Sequence, residues 1–280
     1  MLEIIKNFKK RLKRKLQNLT VLKYPTGHGP GGKDNISLVL YFDYEREFGN
    51  PLARTSAEVG FNMVLDILAR YNIKATWNCV GLIAEYYSQS IERLIQEGHE
   101  IACHTYYHIV PLETSYRKLL KDIEKFKITF KKKYGVEIEG FHPPEDAWSK
   151  SLLEILLKKN FTYHIVLDKK LEKPHAHFIA LSRYCFFKRN DIILRIPSVS
   201  DDWQIISEGV SGKMLIQTWK RYIREDYRGL TFAIGFHPWI IGKEAQFMKA
   251  FENFIYFLVH CNYVKIFTGK DIANWYKNVR

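Results

Sequence analysis

The sequence predicts an α/β protein whose parallel strands close into a barrel, and three observations carry that expectation. From residue 36 onward, short apolar runs alternate with helix-length amphipathic segments, the beat of a parallel α/β chain. Asp43, Asn78, His104, His142, Asp168, Asp202 and His237 each fall at or just after the C-terminal end of an expected strand. In a barrel such positions converge on one rim, where sites of this architecture lie. No G-x-G-x-x-G opens a helix, so the dinucleotide crevice of an open doubly wound sheet has no support.

The elements follow in order. In residues 1–22, Ile5, Phe8, Leu12, Leu16 and Leu19 step by three or four and form one helical stripe. Lys6, Lys9, Lys10, Arg11, Lys13, Arg14 and Lys15 crowd around the rest. Two readings fit this basic amphipathic helix: it lies on an anionic membrane surface, or its stripe packs on the domain. "YPTGHGPGGKDN" (24–35) reads as a Pro/Gly-rich connector, so the catalytic domain is expected over 36–280.

"ISLVLYFD" is too short and too continuously apolar for a helix and reads as a buried strand. A helix over about 55–71, strand "KATWNCV", a helix near 84–97 and strand "HEIACH" come next. A long Lys/Glu-rich helix near 114–134 leads to strand "IEGFH", and a helix near 149–159 leads to strand "FTYHIVL". His175 and His177, in "PHAHF", fall in a polar connector and read as a surface loop. Strand "IILRIPSV", a helix near 213–224, strand "LTFAIGFH", a helix near 244–260, strand "YVKIFTG" and a short helix "KDIANWYKNV" close the series.

Bulk properties narrow the class. With 280 residues, 46% of them hydrophobic, the chain can bury one sizeable core. Cys79, Cys103, Cys185 and Cys261 form no C-x-x-C pair and read as reduced thiols, which suits a cytoplasmic protein. No apolar run reaches transmembrane length, and Lys and Arg interrupt any signal-peptide core. The net charge of +13 suits a membrane surface or an acidic substrate; no nucleic-acid fold signature accompanies it, so nucleic acid ranks low.

The chemistry concentrates at strand ends. "YFDYE" offers Asp43 and Glu45, and "HTYYH" offers His104 and His108. One carboxylate and two imidazoles with open positions suit Zn²⁺ or another first-row divalent ion. A helical turn after His104 would bring His108 to the same side. A second carboxylate to take a proton and His237 in "GFHPW" to return one would complete a hydrolase. The bland readings are ordinary strand-end histidines and a solvated acid pair neutralising Arg46.

Five motifs in order, "LYFDYE", "HTYYH", "GFHPPED", "IPSVSDDW" and "GFHPWIIGK", make residues 36–276 resemble the polysaccharide deacetylases, the NodB-homology or carbohydrate esterase family 4 proteins. The likeness is strongest to the branch of peptidoglycan-deacetylase-like and allantoinase-like members. It implies a distorted (β/α)7 barrel and a metal-dependent amide hydrolase that removes an N-acyl group, acetyl foremost, from an amino sugar of a glycan or lipid-linked precursor. It implies Asp43 as general base, Glu45, His104 and His108 as ligands of a divalent metal, Zn²⁺ ahead of Mn²⁺, Fe²⁺ or Co²⁺, and His237 as general acid. The Glu145 N–H would hold the oxyanion, and Asp202 or Asp201 would orient the histidine. Trp203, Trp239, Tyr107 and Pro144 would line the substrate pocket.

Three positions depart from the family pattern: Tyr44 separates Asp43 from Glu45, Val199 replaces an aspartate, and His142 replaces an arginine that holds the base. A neutral His142 would lack arginine's charged fork, with three readings open: a raised Asp43 pKa, a changed substrate, or an enfeebled site. Two alternatives stay open: a cytoplasmic hydrolase of small non-sugar amides, and a catalytically silent sugar-binding relative. Attachment of residues 1–22 to the inner membrane face would suit a lipid-linked substrate.

Overall fold

The computed structural model describes residues 21–52, 56–167, 172–181, 192–210 and 212–279. The expected basic helix up to residue 20, Asp168 and Cys185 lie outside the described residues. Among them Cys79, Cys103 and Cys261 are free thiols.

Seven parallel strands close on themselves: β2 (Ile36–Tyr44), β3 (Thr76–Cys79), β4 (Glu100–Cys103), β5 (Gly140–Phe141), β6 (Tyr163–Leu167), β8 (Ile192–Asp201) and β9 (Thr231–Phe236), which returns to β2. The expected (β/α)7 barrel is therefore what the chain forms. Two strands that sequence reading missed extend it. β7 (His177–Leu181) pairs antiparallel with β8, and β1 (Val21–Pro25) pairs antiparallel with β7. Residues expected in a helix and connector thus form an edge strand.

The histidines assigned to a surface loop are structural instead. His177 opens β7, and His175 accepts the Thr231 N–H at 2.9 Å, fixing the chain onto β9.

β2 is buried along all nine residues, as a strand covered on both faces must be. Alternate side chains fill the barrel: Val39, Tyr41, Tyr163, Ile165, Leu194, Ile196 and Ala233 form one cluster. Gly235 makes room for Tyr41, since a Cβ there would lie 2.2 Å from the ring. α10 (Gly269–Asn278), started by a Thr268/Asp271 capping box, plugs the barrel bottom with Ile272, Ala273 and Tyr276. Below it Glu100 accepts from the Tyr163 hydroxyl at 2.6 Å and the Lys270 N–H at 2.9 Å.

The outer layer holds α1 (Ser56–Arg70), α2 (Gly81–Tyr86), α3 (Ser88–Gln96), α4 (Tyr116–Tyr134) and α5 (Lys150–Lys158). It continues with α6 (Asp202–Ser207), α7 (Gly212–Lys220), α8 (Pro238–Ile241) and α9 (Ala245–His260). The single helix expected near 84–97 breaks at Tyr87 into α2 and α3. β8 carries a bulge at Val199: Ser198 lies opposite Ala233 but Ser200 opposite Ile234. The extra residue sets Asp201, not Ser200, opposite Gly235 and delivers Asp202 to the strand end.

Candidate active site

The C-terminal ends of β2, β4, β9 and the turn after β5 bring the expected residues together. Asp43, Glu45, His104, His142, Asp202 and His237 are all at most 8% exposed, so a solvated acid pair is excluded. Arg46 donates to Glu58 at 2.8 Å.

Glu45, His104 and His108 each present one ligand atom within 4.8 Å of the others. Glu45 Oε2 lies 2.7 Å from His108 Nε2 and 3.5 Å from His104 Nε2. His104 donates its Nδ1–H to the His142 carbonyl at 2.8 Å, which leaves the Nε2 lone pair facing the carboxylate. This donor set fits a divalent ion: one anionic oxygen and two imidazole nitrogens, one of them with its tautomer fixed. The other Glu45 oxygen, Oε1, accepts from Trp239 Nε1 at 3.1 Å and from the Phe48 N–H at 3.4 Å.

The loop that carries the histidines is not the helical turn expected. Thr105 and His108 both take left-handed backbone, φ 62° and 52°. The bend is pinned by Asp122 of α4, which accepts from the Tyr106 N–H at 2.6 Å and the Tyr107 N–H at 3.1 Å. After Glu45, residues 46–49 form a left-handed turn with φ of 48°, 61°, 59° and 79°, and Gly49 packs on His108 so closely that a Cβ would lie 2.4 Å from its Cβ. Such turns are strained for residues with side chains, and here the strain aims Phe48 back over the site.

Asp43 is held on both oxygens. Asn78 Nδ2 donates to Oδ1 at 2.7 Å, while His142 Nε2 and His237 Nε2 stand 3.3 and 3.6 Å from Oδ2. His142 also donates Nδ1–H to the Ile165 carbonyl at 3.0 Å. Burial opposes its charge, but the facing Asp43 carboxylate, the contact with it and Asp146 push the imidazole up to about 9. The expected neutral histidine is thus an imidazolium at neutral pH, and it supplies the cation arginine would have supplied. Burial likewise opposes the Asp43 charge, yet His142 and His104 hold the carboxyl well below the usual range, the reverse of a raised pKa.

His237 resolves the choice between two aspartates. Its Nδ1–H donates to Asp202 Oδ1 at 2.6 Å, and its backbone N–H to Oδ2 at 2.9 Å. Asp201 instead caps α6 by accepting the Gln204 N–H. Against the desolvation of burial, Asp202, Glu45 and Asp43 raise the His237 pKa well above the ordinary value.

The pocket residues divide. Trp203 is exposed and meets Phe48 edge-on at 5.2 Å. Trp239, expected beside substrate, is 2% exposed, because its indole is turned inward to reach Glu45. Tyr107 is exposed and packs under Lys125. Pro144 is buried, and Glu145 sits on its turn at φ 55° with its side chain outward. Sequence reasoning gave no role to Asn78, Phe48 or Asp122. Asp122 left a signal, a lone acid on the apolar stripe of Leu119, Ile123, Phe126 and Phe130.

Residues 32–164 match the model of the polysaccharide deacetylase family. A peptidoglycan deacetylase of Helicobacter pylori is 30% identical over 112 residues, 39% of this chain and 37% of the relative's length. Among solved structures, a Mycobacterium smegmatis structure assigned to the polysaccharide deacetylases superposes with a TM-score of 0.76 at 19% identity, covering 92% of this chain and 96% of that one. The Puue allantoinase superposes with a TM-score of 0.76 at 17% identity over 91% and 95% of the two chains. These two likenesses concern the fold.

Proposed function

We propose, from this site and that partial family match, that the protein is a metal-dependent hydrolase that removes an N-acyl group, acetyl foremost, from an amino sugar. The observation that carries this reading is the convergence of Glu45, His104 and His108 beside Asp43 and His237, the latter held by Asp202. A bound divalent ion, Zn²⁺ before Mn²⁺, Fe²⁺ or Co²⁺, would be held by those three side chains and would polarise the amide and acidify water.

The chain's own groups do the proton work. Asp43, kept anionic by His142 and oriented by Asn78, takes the proton of the attacking water. The Glu145 N–H, on its left-handed turn, is assigned to the developing oxyanion. His237 carries its proton on Nε2, 3.6 Å from Asp43 Oδ2, and gives it to the departing amine. Water and amide thereby become a carboxylic acid and a free amine. Phe48 and Trp203 offer exposed aromatic surface to the apolar face of a sugar ring.

Elemental mass spectrometry of purified wild type and His104→Ala, with acetate release from N-acetylated amino sugars, tests the proposal. About one ion per chain, lost in the variant together with acetate release, is expected. An absence of metal after soaking with Zn²⁺ refutes it. From the basic run of residues 1–20 we also propose attachment to an anionic inner membrane face, and from the unpaired cysteines a cytoplasmic protein. Unchanged liposome binding after deletion of residues 1–20 removes that attachment.

A further inference from the structure

Beside the loop that supplies His108 lies a cleft of about 420 Å³, lined by Tyr107, Ser115, Arg117, Lys118, Lys121, Asp122 and Lys125. Arg117, Lys118, Lys121 and Lys125 are exposed and project from one side of α4. Lys125 Nζ donates to the Tyr107 hydroxyl and lies over the Tyr106 ring. Arg117, Lys118 and Lys121 have no ion-pair partner among the described residues, although the domain pairs other cations freely, as in Lys131–Glu137 and Lys159–Glu124. The one carboxylate in the cleft, Asp122, is buried and spends both oxygens on the Tyr106 and Tyr107 N–H groups.

We propose that this cleft binds a phosphate group carried by the substrate, so that the hydrolase acts on a phosphorylated N-acyl amino sugar. The inference rests on the amide-hydrolase reading and adds a second point of recognition to it. Four cations against one committed carboxylate are more than a single carboxylate ligand neutralises, whereas a phosphate or diphosphate offers two or more charges. Arg117 supplies a planar fork and the lysines mobile point charges, the pairing suited to phosphate oxygens. The position is also specific: Tyr107 lines the cleft and directly precedes His108, and Asp122 of the cleft pins the loop that carries His108. A concave cleft at that place suits a substrate group better than a flat lipid surface.

The test compares N-acetylglucosamine 1-phosphate with N-acetylglucosamine by titration calorimetry on the Zn²⁺-loaded protein and on Lys118→Glu/Lys121→Glu. Both changed residues are exposed and leave the metal ligands in place, so phosphate contact with the ion is common to both proteins. Wild type should bind the phosphorylated sugar about tenfold tighter than the neutral one, and the variant should lose that preference. Equal binding of both sugars by wild type, or a preference that survives in the variant, overturns the proposal. A variant that keeps the preference but no longer sediments with phosphatidylglycerol vesicles also overturns it, in favour of a membrane-facing role. Phosphate-dependent binding without acetate release upholds the cleft and overturns the hydrolase reading on which it was built.

Discussion

Trp239→Phe isolates one hydrogen bond at the candidate metal centre. The indole N–H reaches Glu45 Oε1 at 3.1 Å, while the Phe48 N–H stands at 3.4 Å from the same oxygen. Phenylalanine keeps an aromatic ring against Phe48 and His237 but offers no donor. A hydrogen bond to a buried charged group is worth about 1.5–3 kcal/mol. The 3.1 Å length favours the lower half, and 1.4 kcal/mol is tenfold, so Zn²⁺ affinity should fall roughly 10- to 30-fold. Competition with a chromophoric chelator measures it, with a thermal melt to show that the variant is folded. An affinity equal to that of wild type would refute the reasoning, because Glu45 would then owe its orientation to the two histidines and the Phe48 N–H.

Three other outcomes are expected. Asp202→Asn keeps the shape beside His237 but removes the charge that raises its pKa, so kcat should drop roughly 10²- to 10⁴-fold and the alkaline limb of its pH profile should move to lower pH. His142→Ala should raise the Asp43 pKa and move the acid limb upward, whereas His142→Arg should hold it, both read from kcat/KM against pH. Burial raises the Glu100 carboxyl from 4.5 to about 7, so the folded state holds this proton more tightly than the unfolded chain. Its contribution is fullest below the unfolded pKa and is lost as pH climbs through 7; Glu100→Gln should flatten Tm between those values.

The barrel was legible because its strands are short apolar runs and their polar ends share a rim. β1 and β7 were not: "VLKYP" merges into a Pro/Gly stretch and "HFIAL" follows a polar one, and both pair antiparallel with partners only the fold supplies. The metal ligands could be picked out as residue types at strand ends. Their supports could not. Trp239 reaches Glu45 across 194 residues, and Asp122 grips backbone N–H groups, which have no signature in side-chain identity. His142 looked deficient beside arginine because its charge is imposed, against burial, by the facing Asp43 and Asp146, not by its own chemistry. Asp202 was separated from Asp201 only by the bulge at Val199.

β2 joins three neighbours at once, and this sets the order in which the site can be assembled. Ser37 pairs with Thr231 and Val39 with Phe267, while Tyr41 pairs with Thr76. The strand that ends in Asp43 and Glu45 is therefore stitched to the last fifth of the chain. Loops of that length close late, so these contacts make high contact order and slow folding. A nascent chain that has emitted only its first 164 residues already holds Asp43, Glu45, His104, His108 and His142, yet one edge of β2 is unpaired and Trp239 has not been made. Until residues 231–267 are made, that edge is a template for pairing with other chains, and the Trp239 bond to Glu45 cannot form.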